Sequence, residues 1–66
     1  MFYVVGRIMD GRCEWYRGNS NWLPNIHRAK VYTSRAAARS VVYHHRCGKI
    51  VIIHPDNIEE GQRVKI

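Results

Sequence analysis

The chain has 66 residues, 45% of them hydrophobic and 24% charged, and its formal net charge at pH 7 is +6. A chain of this length is predicted to form one domain, residues 1–66, whose interior is too small for a deep catalytic pocket, so a binding module is expected rather than an enzyme. The positive charge favours partners that present phosphate or carboxylate groups.

A β-hairpin is the first predicted element. Residues 2–9 and 13–17 are rich in β-branched and aromatic side chains, and they flank Asp10-Gly11, a dipeptide typical of two-residue hairpin turns. A two-residue loop sets the register of the two strands, which places Arg7 opposite Glu14 and Trp15 opposite Gly6.

The two faces of this hairpin are predicted to differ. The face expected to lie against the core consists of Phe2, Val4, Gly6, Ile8, Cys13 and Trp15. The other face carries Tyr3, Arg7 and Tyr16, and aromatic side chains beside arginine on an exposed sheet can stack unpaired bases. Ordinary cross-strand packing, or burial beneath the Trp22 loop, explains the same tyrosines equally well, so both interpretations stay open.

The next segment is predicted to lead into a helix. Residues 18–29 contain turn-forming residues but also Trp22 and Leu23, which are expected to cover an edge of the core. Residues 30–33 are predicted to form a short strand. Ser34 is a suitable N-cap for a helix over residues 35–47, and Gly48 is suited to the left-handed conformation that ends a helix.

A strand, a turn and a tail are predicted to follow the helix. Residues 49–54 (KIVIIH) form a continuous apolar run, which predicts a central strand that is apolar on both faces. Residues 54–57 are predicted to form a turn, and the tail either frays or adds a last short strand through Val64 and Ile66. The predicted fold class is therefore α+β, with a single helix packed on a small, mainly antiparallel sheet.

One side of the predicted helix is a candidate binding surface. The residues predicted to face the sheet are Ala37, Ala38, Val41 and either His44 or His45. The outer side is predicted to carry a basic row that consists of Arg35, Arg39 and Arg46, with Tyr43 adjacent and Val42 within the row.

The charge pattern of this helix predicts that the basic row binds a partner. The helix contains no acidic residue, whereas exposed helix faces usually mix charges of both signs. Arg35 lies in the first turn, where the helix dipole disfavours a cation by about 0.3–1 kcal/mol. We therefore predict partner binding by the row, assisted by His27 and Arg28 from the preceding loop. A purely solvated outer face is the alternative.

A metal site is the other candidate, with potential ligands His44, His45, Cys47, Cys13 and His54. Zinc sites usually use paired ligands at a short, repeated spacing, and Cys13 has no nearby companion. We therefore predict no metal, no cofactor and no catalytic residue, and we expect both cysteines to be small core residues. The chain shows neither a secretory leader pattern nor an apolar run of the roughly 20 residues that a membrane span needs, so a cytoplasmic protein is expected.

Several residues between Tyr3 and Ile53 have the identity and the spacing that are found in one group of small proteins. They are the opening Tyr-Val-Val at 3–5, the turn Asp10-Gly11, Trp22, Ala29, Tyr32, Ser34 and Ala38. In this pattern the chain resembles small accessory proteins encoded by bacteriophages. The resemblance implies a short protein made during infection, in the cytoplasm of the host cell. Some similar proteins inhibit host RNA polymerase, nucleases or CRISPR complexes, often as acidic DNA mimics, and the basic charge of this chain departs from that pattern.

Together these features predict a viral accessory protein that binds and modulates a host macromolecule through its basic helix face. The expected partner is a host protein or a protein–nucleic acid complex. Direct binding of DNA or RNA through the basic face and the tyrosines is the alternative. The chain is expected to be a monomer or a homodimer, and no membrane partner is expected.

Overall fold

One α-helix packs against a four-stranded antiparallel sheet in the computed structural model of the protein, which describes residues 1–65. The strands, in chain order, are β1 (Phe2–Met9), β2 (Arg12–Gly18), β3 (Asn21–Leu23) and β4 (Lys49–Ile53), and their order in the sheet is β3-β2-β1-β4. The helix α1 (Arg35–His45) lies over β1 and β4. The predicted α+β class is confirmed. Among residues 1–65, no helix has the length and apolar character that crossing a membrane requires.

The hairpin forms with the predicted register. Both turn residues have positive φ, 52° and 75°, as a type I′ turn requires. Arg7 lies opposite Glu14, and Nη2 of Arg7 is 2.9 Å from Oε1 of Glu14. Trp15 lies over Gly6, because a Cβ placed at residue 6 would be 2.7 Å from Cζ3 of Trp15. Only glycine fits beneath the indole at this position.

Several predicted boundaries are wrong. Residues 21–23, predicted as loop, form β3, and the predicted strand over residues 30–33 is reduced to a single bridge between Tyr32 and Tyr3. The helix ends at His45 instead of residue 47, because Arg46 adopts the left-handed conformation with φ 55°. The N-cap is confirmed, since Oγ of Ser34 accepts a hydrogen bond from the first turn at 3.4 Å.

The last strand, β4, is an edge strand and not the central strand predicted from its apolar run. β1 occupies the centre, between β2 and β4. β4 is nevertheless apolar on both faces because part of each face of the sheet is covered, one by α1 and the other by the loop and the tail. A β-branched run therefore indicates two covered faces, which an edge strand can have as well as a central one.

The sheet separates two hydrophobic clusters. The cluster on the helix face has Val5, Tyr16 and Ala38 buried at its centre, with Tyr3, Trp22, Tyr32, Val41, Val42 and Ile50 packed around them. We call the opposite face of the sheet the tail face. The cluster on it contains Val4, Ala29, Val31, Ile53 and Val64. Val64 is 2% exposed and pairs with Ile58, so the tail is anchored instead of frayed. Ile66, the other residue predicted for a last strand, lies outside the described residues.

The helix packs on the hairpin face opposite to the predicted one. The face predicted to lie against the core is the tail face, which is covered only near Val4, so that Ile8 is 71% exposed and Cys13 is also exposed. The alternation of side chains along a strand assigns residues to two faces but does not say which face a helix covers. Neither cysteine is the buried core residue that was predicted, since Cys47 is only half-buried.

Candidate functional site

Of the predicted arginines, Arg35 and Arg39 lie on one exposed side of α1, and Arg46 is exposed at the C-terminal end of the helix. Arg35 and Arg39 are one helical turn apart, and Tyr43 is one turn further on. The Tyr43 side chain is 76% exposed, and Arg35, Arg39 and Arg46 are all exposed. We call these four residues the arginine surface. Arg46 is itself the left-handed C-cap residue, so the helical repeat does not fix the direction of its side chain, and it joins this surface as the exposed arginine at the end of the helix.

The charges of the arginine surface have no internal counter-ion in the part of the chain that the structure describes. The ion pairs between residues 1 and 65 are Arg7–Glu14 and His54–Asp56, and neither involves α1. The helix itself contains no acidic residue. The guanidinium groups are therefore available to carboxylate or phosphate groups of another molecule.

The stripe that attaches α1 to the sheet consists of Ala38, Val41, Val42 and His45, at the i, i+3, i+4, i+7 spacing of a packed helix. The ring centroid of His45 lies 5.0 Å from that of Tyr16 and 5.8 Å from that of Trp22. Ala37, predicted to face the sheet, is exposed, and Val42, predicted to interrupt the basic row, packs on the sheet. The arginine surface is therefore free of the predicted apolar interruption.

His27 and Arg28 do not join the arginine surface, so their predicted assistance is wrong. They belong to a 3-10 turn (Ile26–Arg28), and both Ile26 in this turn and Ala29 after it pack in the cluster on the tail face. The Nδ1 atom of His27 lies 2.8 Å from the carbonyl oxygen of Val64, so this ring is within hydrogen-bonding distance of the tail. The sheet separates these residues from α1, and a loop position in the sequence does not say on which side of a sheet the loop packs.

The hairpin face with Tyr3, Arg7 and Tyr16 lies beneath α1, so the interpretation as a base-stacking surface is wrong and the packing alternative is confirmed. Tyr16 is 8% exposed, and its ring centroid is 5.1 Å from that of Trp22 in an edge-on arrangement. Tyr3 is half-buried in the same cluster. The Cζ atom of Arg7 lies 4.2 Å from the centre of the Trp22 ring, and Arg7 also donates a hydrogen bond to Glu14.

Arg7 therefore has an internal role and is not part of the candidate site. Partial loss of hydration lowers the pKa of Arg7, but the hydrogen bond and the negative charge of Glu14, together with Cys47, outweigh this effect and raise the pKa above its ordinary value. The guanidinium group is held between the Glu14 carboxylate and the Trp22 ring. Its charge is already compensated inside the molecule, in contrast to the arginines of α1.

A shallow cleft at the hairpin end of the tail face was not expected from the sequence. Its volume is about 360 Å³, and residues that line it include Ile8, Cys13, Trp15, Cys47, Lys49 and Val51. The cleft exists because the loop and the tail cover this face only around Val4. The hairpin pattern assigns Ile8, Cys13 and Trp15 to the core, and only the docking position of the loop and the tail shows that they border an open cleft.

The potential metal ligands do not form a site. Within residues 1–65 no group of three or more His, Cys, Asp and Glu side chains is placed to hold a metal ion. His45 packs between the helix and the sheet, and the exposed His44 contacts it edge-on with ring centroids 4.9 Å apart. The zinc alternative therefore has no ligand set in this part of the chain.

Comparisons with known proteins add no assignment, because no family model, no curated protein and no solved structure matches the chain. The function is therefore inferred from the arginine surface itself.

Proposed function

We propose that the protein is a non-enzymatic binding module that docks its arginine surface on an acidic surface of a host protein and thereby modulates it, as a phage-type accessory protein would. The observation that carries the proposal is an exposed set of arginines, with an exposed tyrosine among them, on a helix without a single acidic residue. Arginine and tyrosine are also the residue types that contribute most to binding energy at protein interfaces.

The unfavourable position of Arg35 in the helix supports a role for this residue in binding another molecule. Arg35 occupies the first turn of α1, next to the N-cap Ser34, where unpaired N–H groups already carry partial positive charge. An acidic residue at this position would stabilise the helix, so the arginine runs against the local preference. Binding of an external carboxylate there would offset the repulsion, because the anion meets both the guanidinium group and the positive end of the helix.

The absence of buried polar groups also fits a binding module. Among residues 1–65 no polar or charged residue is fully buried. Enzymes commonly shift the pKa of a catalytic group by partly burying it, so an open surface of solvated arginines is better suited to contact than to acid–base chemistry.

Direct binding of single-stranded nucleic acid is the second candidate, and one observation favours it. Tyr43 is 76% exposed and lies one helical turn after Arg39, so a base could stack on its ring while the guanidinium group binds the adjacent phosphate. The buried Tyr16 does not contribute to such a site.

The test is a triple substitution of arginine by glutamine at positions 35, 39 and 46, with a matched control. The control carries the same substitution at Arg12, Arg17 and Arg63, which are exposed and lie outside α1. Both variants lose three positive charges, so any general effect of net charge is the same. Capture of the acidic partner from a bacterial lysate should be lost for the α1 variant and retained for the control. Equal capture by both variants would contradict the proposal.

Salt and nuclease treatment separate the two candidates. Phosphate contacts release counter-ions, so log affinity for single-stranded nucleic acid falls with log salt concentration, with a slope of about −0.7 for each phosphate neutralised. If nucleic acid is the partner, the triple variant should have a smaller slope, and nuclease should abolish capture. Capture that survives nuclease, with no binding of oligonucleotides at low salt, supports a protein partner.

A further inference from the structure

We infer that β4 pairs with β4 of a second copy of this chain, in antiparallel orientation, so that the four-stranded sheet continues through a two-fold axis into its partner. The inference rests on the backbone and side chains of β4 and is independent of what the arginine surface binds. Val51 lies at the centre of the pairing, with Ile50 and Ile52 on either side of it.

The two edges of the sheet differ in how well they are protected. The edge strand β3 has only three residues and is followed directly by Pro24. A short edge strand and a proline both hinder pairing with a further strand. The edge strand β4 has five residues, Lys49–Ile53, and four of them are β-branched and apolar. Neither a proline, nor an acidic residue, nor a bulge interrupts it. Within residues 1–65, β1 is the only strand that pairs with β4.

The hydrogen bonds that β1 makes on its side away from β4 show which backbone groups of β4 face the free edge. Tyr3 uses both its N–H and its C=O to bond Tyr32, at N···O distances of 2.8 Å each. Both groups therefore point away from β4, which makes Tyr3 and Ile52 a pair without mutual hydrogen bonds. In such a pair the N–H and C=O of Ile52 point outward. The pattern repeats every second residue, so the same groups of Ile50 also point to the free edge.

These outward groups are self-complementary. In an antiparallel pairing centred on Val51, Ile50 of each copy lies opposite the partner's Ile52, and both residues of each pair can exchange N–H···O=C hydrogen bonds. This register uses every outward group of the two central isoleucines. Both side chains project to the helix face of the sheet, since their partners Val5 and Tyr3 belong to the helix-face cluster. Ile52, which is 53% exposed in one copy, would therefore pack against the partner's Ile50.

The size of the contact indicates a reversible dimer. The accessible surface of one chain is 4767 Å², and a standard stable interface removes roughly 800 Å² from each partner. The edge of a five-residue strand with one half-exposed isoleucine provides less than that, so association should depend on concentration. Two copies with a formal net charge of +6 each also repel one another. Salt screens this repulsion, so self-association should strengthen with salt, in the opposite direction to phosphate binding.

Sedimentation equilibrium of the full chain, without any ligand, tests the inference. The wild-type chain should shift from monomer to dimer as concentration rises, and the shift should increase with salt. Ile52→Pro removes one outward N–H and breaks no hydrogen bond to β1, so it should keep the fold by circular dichroism and abolish dimerisation. Ile52→Thr keeps the N–H and the β-branched shape, and should dimerise more weakly than the wild type. Ile8→Thr, the same substitution at a 71% exposed isoleucine outside β4, should dimerise as the wild type does.

Amide hydrogen exchange provides a second readout that does not depend on the proline variant being folded. The amides of Ile50 and Ile52 should exchange fast in dilute wild-type protein and become protected as the concentration rises, while those of Val51 and Ile53 are protected throughout. A chain that stays monomeric at every concentration, a dimer in which the Ile50 and Ile52 amides still exchange fast, or equal loss of association in Ile52→Thr and Ile8→Thr would overturn the inference. None of these results bears on the arginine surface.

Discussion

The approach of Trp15 to the sheet depends on one residue without a side chain. The indole of Trp15 rests on the backbone of Gly6, and a Cβ at residue 6 would lie 2.7 Å from one ring atom and 2.9 Å from another. The same indole closes one side of the tail-face cluster. A cross-strand pair that is recognisable in the sequence thus also determines how part of the core is packed.

Gly6→Ala should destabilise the protein by about 1–3 kcal/mol, because the new methyl group forces the indole to move. Urea denaturation measures the effect. In a Trp15→Leu background the same substitution should cost clearly less, since the overlapping ring atoms are gone. An equal cost in both backgrounds would mean that the strain comes from the backbone and not from the contact with Trp15.

The raised pKa of Tyr32 predicts that the folded protein loses stability at alkaline pH. Burial raises the pKa of Tyr32, and the neighbouring Tyr16 adds to the shift. The folded state holds the phenol proton more tightly than the unfolded chain, whose tyrosine pKa is about 10. The contribution to stability is therefore complete below about pH 10 and is lost as the pH rises through the folded value. The free energy of unfolding of Tyr32→Phe should fall less steeply above that pH, and parallel curves would contradict the assignment.

At the scale of elements, α1 has one side that packs on the sheet and another side whose arginines are exposed to solvent. Its packed stripe is built from one alanine, two valines and the His45 ring, so the helix lies close on the sheet and leaves its long cationic side chains in solvent. The Ser34 cap and the arginine in the first turn act in opposite directions on the helix, because the cap satisfies an N–H group and the cation is repelled by the remaining ones.

Arg35→Glu should stabilise the folded protein by about 0.3–1 kcal/mol, because an anion in the first turn interacts favourably with the helix dipole. Arg39→Glu is the matched control, since it makes the same charge change away from the helix terminus. Either substitution turns the Arg35–Arg39 repulsion at i,i+4 into an opposite-charge pair, so thermal unfolding at low salt should show a larger gain at position 35 than at position 39, the difference being the dipole effect. Both variants should bind the acidic partner more weakly. Stabilisation by Arg35→Glu together with unchanged binding would indicate that the charge at residue 35 serves no partner.

The free edge of β4 belongs to the same scale. Its apolar run predicts a central strand that is apolar on both faces; the strand does pack in a cluster on each face, but it lies at the edge and not at the centre. Its place at the edge is set by the chain topology, because the helix passes from the Tyr32 bridge on one side of β1 to β4 on the other. The sequence of a strand records which of its faces are buried, but not how many neighbours it has.

At the scale of the whole molecule, the tail is the third layer of the structure. Val64 is 2% exposed in the Val4 cluster, and its carbonyl oxygen contacts the ring of His27. The tail and the preceding loop, through Ala29 and Val31, together cover the face of the sheet opposite to α1 around Val4. In a domain of this size one such contact is a large part of the core.

Val64→Ala should therefore destabilise the protein by about 2 kcal/mol, from lost apolar burial and the cavity left behind. The exposed Lys65→Ala is the control and should change stability by less than about 0.5 kcal/mol. Chemical denaturation of the two variants checks the difference. Equal stability would mean that the tail is not anchored.

Local features determined the hairpin register, the Ser34 cap and the α+β class, because each depends on residues that are adjacent in the chain or paired through a two-residue turn. The exposure of Arg35 and Arg39 also follows from helical periodicity. The exclusion of Arg7, Tyr16, His27 and Arg28 from the candidate site could not be predicted in this way, since it depends on which face of the sheet the helix and the loop cover.

The sequence by itself therefore determined which elements form and which side chains share a face, since turn chemistry, capping and alternation act over a few residues. Only the tertiary structure decided that α1 covers the Tyr3 and Val5 face, that the tail covers the other face and that β4 is left at the edge. The physical reason is that both hairpin faces are apolar enough to be buried, so local patterns allow either arrangement. The choice depends on contacts between residues far apart in the chain, such as Val4 with Val64 and Tyr3 with Tyr32.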